Sequence, residues 1–137
     1  MSSIRKDLVE YPIQDNVRLE VYWRDDATGY GPASSFYVFD YEVIRLDCFG
    51  GNLGHCHVNP RQNRGLRLCY AEGTCQEQID RAVFELERNL PFYLGTNQDR
   101  KIQEVKIDGD QLKLAIRQMR KKMLEFADQL EIDVASG

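Results

Sequence analysis

The sequence predicts an α+β fold in which an antiparallel meander of about five strands is followed by two helices packed on one face. Residues 17–70 contain short segments in which apolar and polar side chains alternate, separated by turn residues. Residues 75–130 contain two longer segments whose apolar residues lie three or four positions apart, as on one side of a helix. The length of 137 residues suits a single domain covering residues 1–137.

The first three strands are predicted from this alternation and from the turn residues between them. The first covers residues 17–24, and the composition of residues 25–32 indicates a loop after it. The second and third strands are predicted at residues 35–39 and 43–49, joined by a turn near Asp40. Connections this short favour antiparallel pairing of consecutive strands.

Three glycines between positions 50 and 54 predict the next turn, because glycine accepts the positive φ angles that tight turns need. A fourth strand is predicted at residues 55–58, ending before Asn59-Pro60, and a fifth at residues 66–70. Residues 61–65 between them are expected to form a loop.

The first helix is predicted at residues 75–90. Thr74 and Glu77 have the spacing of a capping box, in which each side chain binds the other residue's backbone N–H. Pro91 ends the apolar stripe that follows. Residues 91–109 are then expected to form a connector with an extended piece in its second half.

The last helix is predicted at residues 110–130 and carries a regular apolar seam. The seam residues repeat at spacings of four and three, as in a coiled coil: Leu112, Ile116, Met119, Met123, Phe126 and Leu130. The seam could pack on the rest of the chain or on another molecule. Residues 112–130 are therefore the predicted contact with a protein partner or with a second copy in a homodimer.

Charge and cysteine content exclude several classes of protein. The net charge of −4 argues against a protein that coats nucleic acid without selectivity. The four cysteines include no CxxC pair and residues 1–16 have no apolar signal segment, so free thiols and a cytoplasmic location are expected. No stretch approaches the roughly 20 apolar residues that cross a bilayer, so no membrane association is expected.

His55 and His57 are the two histidines of the chain, and they lie on either side of Cys56. Because side chains alternate along a strand, both histidines are expected on one face and Cys56 on the other. The predicted pairing of the third and fourth strands places Asp47 opposite His57 and Phe49 opposite His55. In this register Arg45, Asp47 and both histidines share a polar face.

These residue types suit acid–base chemistry on a phosphodiester. His55 and His57 would act as acid and base, Arg45 would stabilise charge on the phosphate, and Asp47 would orient a histidine. Further phosphate contacts are predicted from the loop arginines Arg61, Arg64 and Arg67. The resulting prediction is a small metal-independent endoribonuclease-like protein of toxin–antitoxin type, with RNA or a nucleotide as partner and no cofactor.

Three alternatives stay open at this point. In the first, the protein is a non-catalytic module that binds another protein through the helix seam or the edge of the sheet. In the second, Asp47, His55 and His57 bind a metal ion as a three-ligand zinc or non-haem iron site, which the nearby arginines disfavour. In the third, these residues are a solvated, salt-bridged surface without further function.

Overall fold

The computed structural model describes the backbone of residues 4–27, 29–63 and 67–136, and the side chains of these residues as far as Leu130. Within these ranges, six strands form one open antiparallel sheet in which strands consecutive in sequence are neighbours in space. The strands are β1 (Ile4–Gln14), β2 (Val17–Asp26), β3 (Gly29–Val38), β4 (Tyr41–Asp47), β5 (His55–Val58) and β6 (Leu68–Cys69). The helices are α1 (Cys75–Arg88), α2 (Leu90–Gly95), α3 (Arg100–Gln103) and α4 (Gly109–Ser136). The predicted α+β meander followed by helices is confirmed.

β1 is an additional strand that the alternation does not predict. Its pairing with β2 shifts between Lys6 and Val9 and again between Pro12 and Gln14. Each shift inserts an irregularity that interrupts the two-residue period, so the apolar residues of β1 do not alternate regularly. The sheet therefore has one strand more than the sequence indicates.

The predicted loop at residues 25–32 is largely wrong. β3 begins at Gly29, which pairs with Asp26, and the two strands stay in register up to the pair of Val17 with Val38. The glycines and the proline of this segment therefore lie in a strand rather than in a loop.

The helical part begins as predicted and then differs in its connector. Glu77 N donates to Thr74 Oγ1 at 3.1 Å and Thr74 N donates to Glu77 Oε1 at 2.9 Å, so the capping box is formed. The segment predicted to contain an extended piece instead contains α2 and α3. Pro91 occupies the first turn of α2, where its missing N–H is tolerated, and Asp99 caps α3.

The apolar core lies between one face of the sheet and the helices α1 and α4. α4 packs across β1, β2 and β3 and against α1. The centre of its seam is part of this core, since Ile116, Met119 and Met123 are at most 2% exposed. The predicted homodimer or partner contact through residues 112–130 is therefore not available at these positions, because the chain itself covers them. None of the described helices combines the length and the apolar character needed to span a membrane.

Candidate functional site

The pairing of β4 with β5 brings the main predicted site residues together. Asp47 lies opposite His55, and Arg45 lies opposite His57. The predicted register, with Asp47 opposite His57, is wrong by two residues, because β4 ends at Asp47 and Phe49 belongs to the following loop. A shift by two residues leaves each side chain on its face, so the four residues still share one side of the sheet.

The centre of this face is buried rather than solvated. Asp47 is 0% exposed and His55 is 2% exposed. Phe49 packs beside them, with its ring centroid 5.9 Å from that of His55 and the two rings at 82°. Gly31 of β3 makes room for Phe49, since a Cβ at Gly31 would lie 3.2 Å from the phenyl ring. The hypothesis of a plain solvated surface is therefore wrong for Asp47 and His55.

The two carboxylate oxygens of Asp47 have different surroundings. Oδ2 accepts hydrogen bonds from Arg24 Nη1 at 3.2 Å and Arg45 Nε at 3.3 Å, and lies 3.0 Å from His55 Nε2. Oδ1 is fully buried and has no hydrogen-bond partner among the described residues. Burial raises the pKa of Asp47, but the His55 hydrogen bond and the charges of Arg45 and Arg24 outweigh burial and bring this pKa below its usual value.

His55 is engaged at both ring nitrogens. Nδ1 lies 2.7 Å from the carbonyl oxygen of Leu53, and Nε2 faces Asp47 Oδ2. Because a carbonyl oxygen can only accept, the Leu53 contact places a proton on Nδ1. Neither nitrogen is directed at solvent, so His55 is placed to support the site from behind rather than to meet a substrate directly.

His57 is the more accessible of the two histidines, being half-buried. Its ring centroid is 5.0 Å from that of His55, and the rings are inclined at 82°. The potential ligand atoms of Asp47, His55 and His57 all lie within 4.8 Å of one another. Two imidazoles and one carboxylate at such distances form a donor set that suits a transition-metal ion.

Arg24 on β2 pairs with the buried carboxylate of Asp47 across the intervening strand β3, and sequence reasoning missed this role. It pairs with Asp47 and also with Asp26, whose Oδ2 lies 2.6 Å from Arg24 Nη1. The alternation in β2 does place Arg24 on the polar face. If β2 and β3 are paired along their full lengths, Arg24 comes close to Asp47. This contact was not predicted, because residues 25–32 were expected to form a loop instead of strand.

Glu42 forms a second acidic centre on the same face. It accepts a hydrogen bond from Ser35 Oγ at 2.6 Å and pairs with Arg5 at 3.2 Å. Arg45 Nη1 lies 3.8 Å from Glu42 and joins this centre to Asp47. The positive and negative charges balance in number, since Arg5, Arg24 and Arg45 face Asp26, Glu42 and Asp47.

Arg61 does not join the cluster. Arg61 lies against Tyr41, with its guanidinium carbon 5.7 Å from the ring centroid. Tyr41 is the first residue of β4 and Asp47 is the last, so Arg61 lies towards the other end of that strand. Arg64 falls outside the described residues.

Arg67 has a different position, because it directly precedes β6. The pairs of β5 with β6 are His55 with Cys69 and Cys56 with Leu68. Continuing this register by one residue places Arg67 opposite His57. Arg67 is exposed, so it extends the polar face from His57 towards solvent.

A cavity of about 690 Å³ lies between α1 and the strands β5 and β6, with Cys56 among its lining residues. Cys56 is on the apolar side of β5, so this cavity belongs to the opposite face from the two histidines. Its buried carboxylate, Glu85, is already bound by Arg81 at 2.8 Å and by the hydroxyl of Tyr93. The cavity therefore contributes no group to the candidate site.

A scan against protein-family models finds no match, and neither a search of curated proteins nor one of solved structures finds any. Function resides in the chemistry of a site rather than in a fold. The cluster of Asp47, His55 and His57 with its surrounding arginines is the arrangement from which a function can be argued.

Proposed function

We propose that this protein binds and cleaves a phosphodiester, with single-stranded RNA as its substrate. The observation that carries the proposal is the pairing of Arg45 with His57, and extending the β5–β6 register by one residue adds Arg67 to give a row of three. Arg45 lies on β4 and His57 on β5, whereas Arg67 directly precedes β6. An imidazole with a guanidinium on either side is a suitable surface for a phosphate group.

The row leads from solvent into the buried cluster. Arg67 is exposed and His57 is half-buried. Asp47, beyond His57, is fully buried. Arg45 Nε is fixed by Asp47, so the direction of its guanidinium is set before a substrate arrives. A phosphate held by Arg67 and Arg45 would therefore lie next to the histidines, in surroundings from which much of the water is excluded.

RNA is the expected substrate because it carries its own attacking group. When the 2′-hydroxyl loses its proton, its oxygen bonds to the adjacent phosphorus and the bond from phosphorus to the 5′ oxygen breaks. The 5′ oxygen then takes up a proton from water. In this proposal Arg45 and Arg67 bind the non-bridging oxygens and His57 takes up the proton of the 2′-hydroxyl, while Asp47 and His55 support it from behind.

The test compares three alanine variants on one fluorescent single-stranded RNA. His57→Ala is expected to lower the cleavage rate by about 100-fold or more, in the range found for general acid–base groups. Arg67→Ala is expected to weaken RNA binding and to reduce its dependence on salt. Arg61→Ala removes the same charge from a nearby exposed position that lies outside the row, and is expected to behave as the wild type.

The same oligonucleotide made of DNA is the matched substrate control and is expected to remain intact. Circular dichroism establishes that each variant is folded before its rate is compared. Absence of RNA cleavage by the folded wild-type protein would overturn the proposal. Equal losses in Arg61→Ala and Arg67→Ala would show that only general positive charge matters, and would also overturn it.

A further inference from the structure

We infer that Asp47, His55 and His57 form a binding site for a divalent transition-metal ion, with Zn²⁺ as the expected occupant. The inference goes beyond the proposed function, because the contacts that support it concern the protein's own atoms and not a substrate. Three observations carry it, one from each of the three side chains.

The first observation is the unpartnered oxygen of Asp47. Oδ1 is fully buried and accepts no hydrogen bond from any described residue, whereas Oδ2 of the same carboxylate faces three nitrogen donors. Leaving one oxygen of a buried carboxylate without a partner is costly, so such an atom calls for an explanation. A cation bound at Oδ1 would supply the missing partner.

The second observation is the orientation of His55. Its Nδ1–H is directed at the carbonyl oxygen of Leu53, which fixes the tautomer and turns Nε2 towards Asp47. Metal-binding histidines are commonly held in this way, with the second ring nitrogen donating to a backbone carbonyl. A metal ion bound to Nε2 would take up its lone pair and displace the proton that Nε2 shares with Asp47 Oδ2 at 3.0 Å.

The third observation is the closeness of His57 to Asp47 and His55. The ligand atoms of the three side chains lie within 4.8 Å of one another. In a tetrahedral zinc site with bonds of about 2.0 Å, neighbouring ligand atoms are about 3.3 Å apart, so movements of about 1 Å would complete the coordination. His57 is half-buried while the other two ligands are buried, which leaves the fourth coordination position on its side.

The neighbouring arginines are compatible with a cation. Arg24 and Arg45 both bind Oδ2 and leave Oδ1 to the metal, so they act as the outer hydrogen-bond donors that orient a ligating carboxylate. Their charges are already offset by Asp26, Glu42 and Asp47 itself. The metal ion therefore adds positive charge to a cluster in which arginines and carboxylates are equal in number. An anionic phosphate at the open coordination position would offset part of this added charge.

The donor set selects the class of ion. Imidazole nitrogens suit zinc and other first-row transition metals, whereas Mg²⁺ and Ca²⁺ prefer oxygen ligands. Three protein ligands with one open position are typical of catalytic rather than structural zinc sites. A zinc ion here would lower the pKa of a bound water and so supply the base for the proposed RNA cleavage.

The experiment measures metal binding without reference to activity. The full chain is stripped with a chelator and titrated by calorimetry with Zn²⁺ and separately with Mg²⁺, and Co²⁺ is used as a spectroscopic probe. One Zn²⁺ per chain is expected, with no comparable binding of Mg²⁺. The Co²⁺ complex is expected to show visible absorption typical of four-coordinate nitrogen and oxygen ligation, without a thiolate charge-transfer band.

Three variants locate the ion. His57→Ala is expected to weaken Zn²⁺ binding by about 100-fold or more, since even the loss of an outer hydrogen bond costs 10- to 100-fold. Because His57 is half-buried, its removal disturbs the interior less than removal of the buried Asp47 or His55 would. Cys69→Ser removes the exposed thiol, and Arg67→Ala removes the proposed phosphate contact. Both are expected to bind Zn²⁺ as the wild type does.

The outcomes separate this inference from the proposed function. Saturable Zn²⁺ binding that His57→Ala abolishes, without any RNA cleavage, would support the metal site and overturn the RNA proposal. RNA cleavage that persists in a chelator, by a protein that takes up no Zn²⁺ or Co²⁺, would overturn the metal site alone. Zn²⁺ binding lost in Cys69→Ser but kept in His57→Ala would also overturn it.

Discussion

Asp47 and His55 are directly opposed across β4 and β5, and 3.0 Å separates Asp47 Oδ2 from His55 Nε2. The pair lies in the interior of a face that carries mainly polar side chains, and Arg24 reaches it from β2, across the intervening strand β3. Burying such charges is costly unless each has a partner. The ion pairs around Asp47 therefore have two roles. They fill the interior of this face, and they surround the candidate site.

The first prediction concerns the stability that this buried carboxylate provides. Asp47→Asn removes the charge that faces Arg24 and Arg45, which leaves buried cations without a full partner. The free energy of unfolding in a chelator-treated sample is expected to fall by about 3–5 kcal/mol, as measured by urea denaturation.

Asp80→Asn is the matched control for this change. Asp80 pairs with Arg120 at 3.1 Å, but their side chains are 54% and 44% exposed. Its removal is expected to cost less than about 1 kcal/mol, because water screens exposed pairs. Equal losses in the two variants would contradict the buried placement of Asp47.

The second prediction tests the loop that connects β4 to β5. Gly54 lies against Gln78, and a Cβ at Gly54 would lie 2.1 Å from Gln78 Oε1. Gln78 cannot move aside freely, because its side chain accepts from Gly50 N at 2.8 Å and donates to Gly51 O at 2.9 Å. Gly54→Ala is expected to lower the free energy of unfolding by about 1–3 kcal/mol.

Gly109→Ala serves as the comparison in the same denaturation experiment. Gly109 begins α4, and an added Cβ there meets no atom within 4 Å. This substitution is expected to stabilise the protein by up to about 1 kcal/mol, since alanine favours the helix. A Gly54→Ala protein as stable as the wild type would show that Gln78 does not hold this loop in place.

The fold was predictable where the sequence period matches the structure. β5 occupies the predicted residues 55–58, and α1 begins at the predicted capping box. β1 could not be found in the same way, because the shifts around Asp7 and at Pro12–Gln14 break its alternation. Long-range pairing with β2 stabilises β1, and a local pattern does not report such pairing.

The sequence predicts which residues of the candidate site share one face of the sheet, but it does not predict how deeply they are buried. Alternation places Arg45, Asp47 and the two histidines on one side whether the register is correct or shifted by two residues. Arg24 from β2 pairs with Asp47, and Phe49 from the loop after β4 packs against His55. Arg24 is distant from Asp47 in the sequence, and Phe49 lies outside the regular strand, so the local pattern does not report either contact. The polar residues of this strand face therefore left a solvated surface open as an alternative, whereas the structure has a buried network of ion pairs at Asp47.

The third prediction concerns the seam of α4. Met119 is 0% exposed and packs inside the chain. Met119→Ala is expected to lower the free energy of unfolding by about 2–5 kcal/mol, through lost burial and the cavity left behind. Met119→Glu is expected to unfold the protein, because its carboxylate would be buried without a partner.

Leu114→Ala provides the control on the same helix, since Leu114 is 51% exposed. It is expected to change the free energy of unfolding by less than about 0.5 kcal/mol. Gel filtration of Met119→Glu distinguishes the two roles of the seam. A folded monomer derived from a wild-type dimer would contradict the intramolecular packing and restore the predicted homodimer contact.

The fourth prediction concerns the thiols, whose reactivity reports the burial around β5. Cys69 is exposed, whereas Cys48, Cys56 and Cys75 are buried. Burial raises the pKa of Cys56 to about 12 and raises the pKa of Cys48 well above its usual value. At pH 8 the native protein is therefore expected to react rapidly with a disulfide reagent at one thiol, because only a thiolate attacks. Cys69→Ser should remove this rapid phase, and all remaining thiols should react in denaturant. A second rapid thiol in the native protein would show that the apolar core around Cys48, Cys56 and Cys75 opens to solvent.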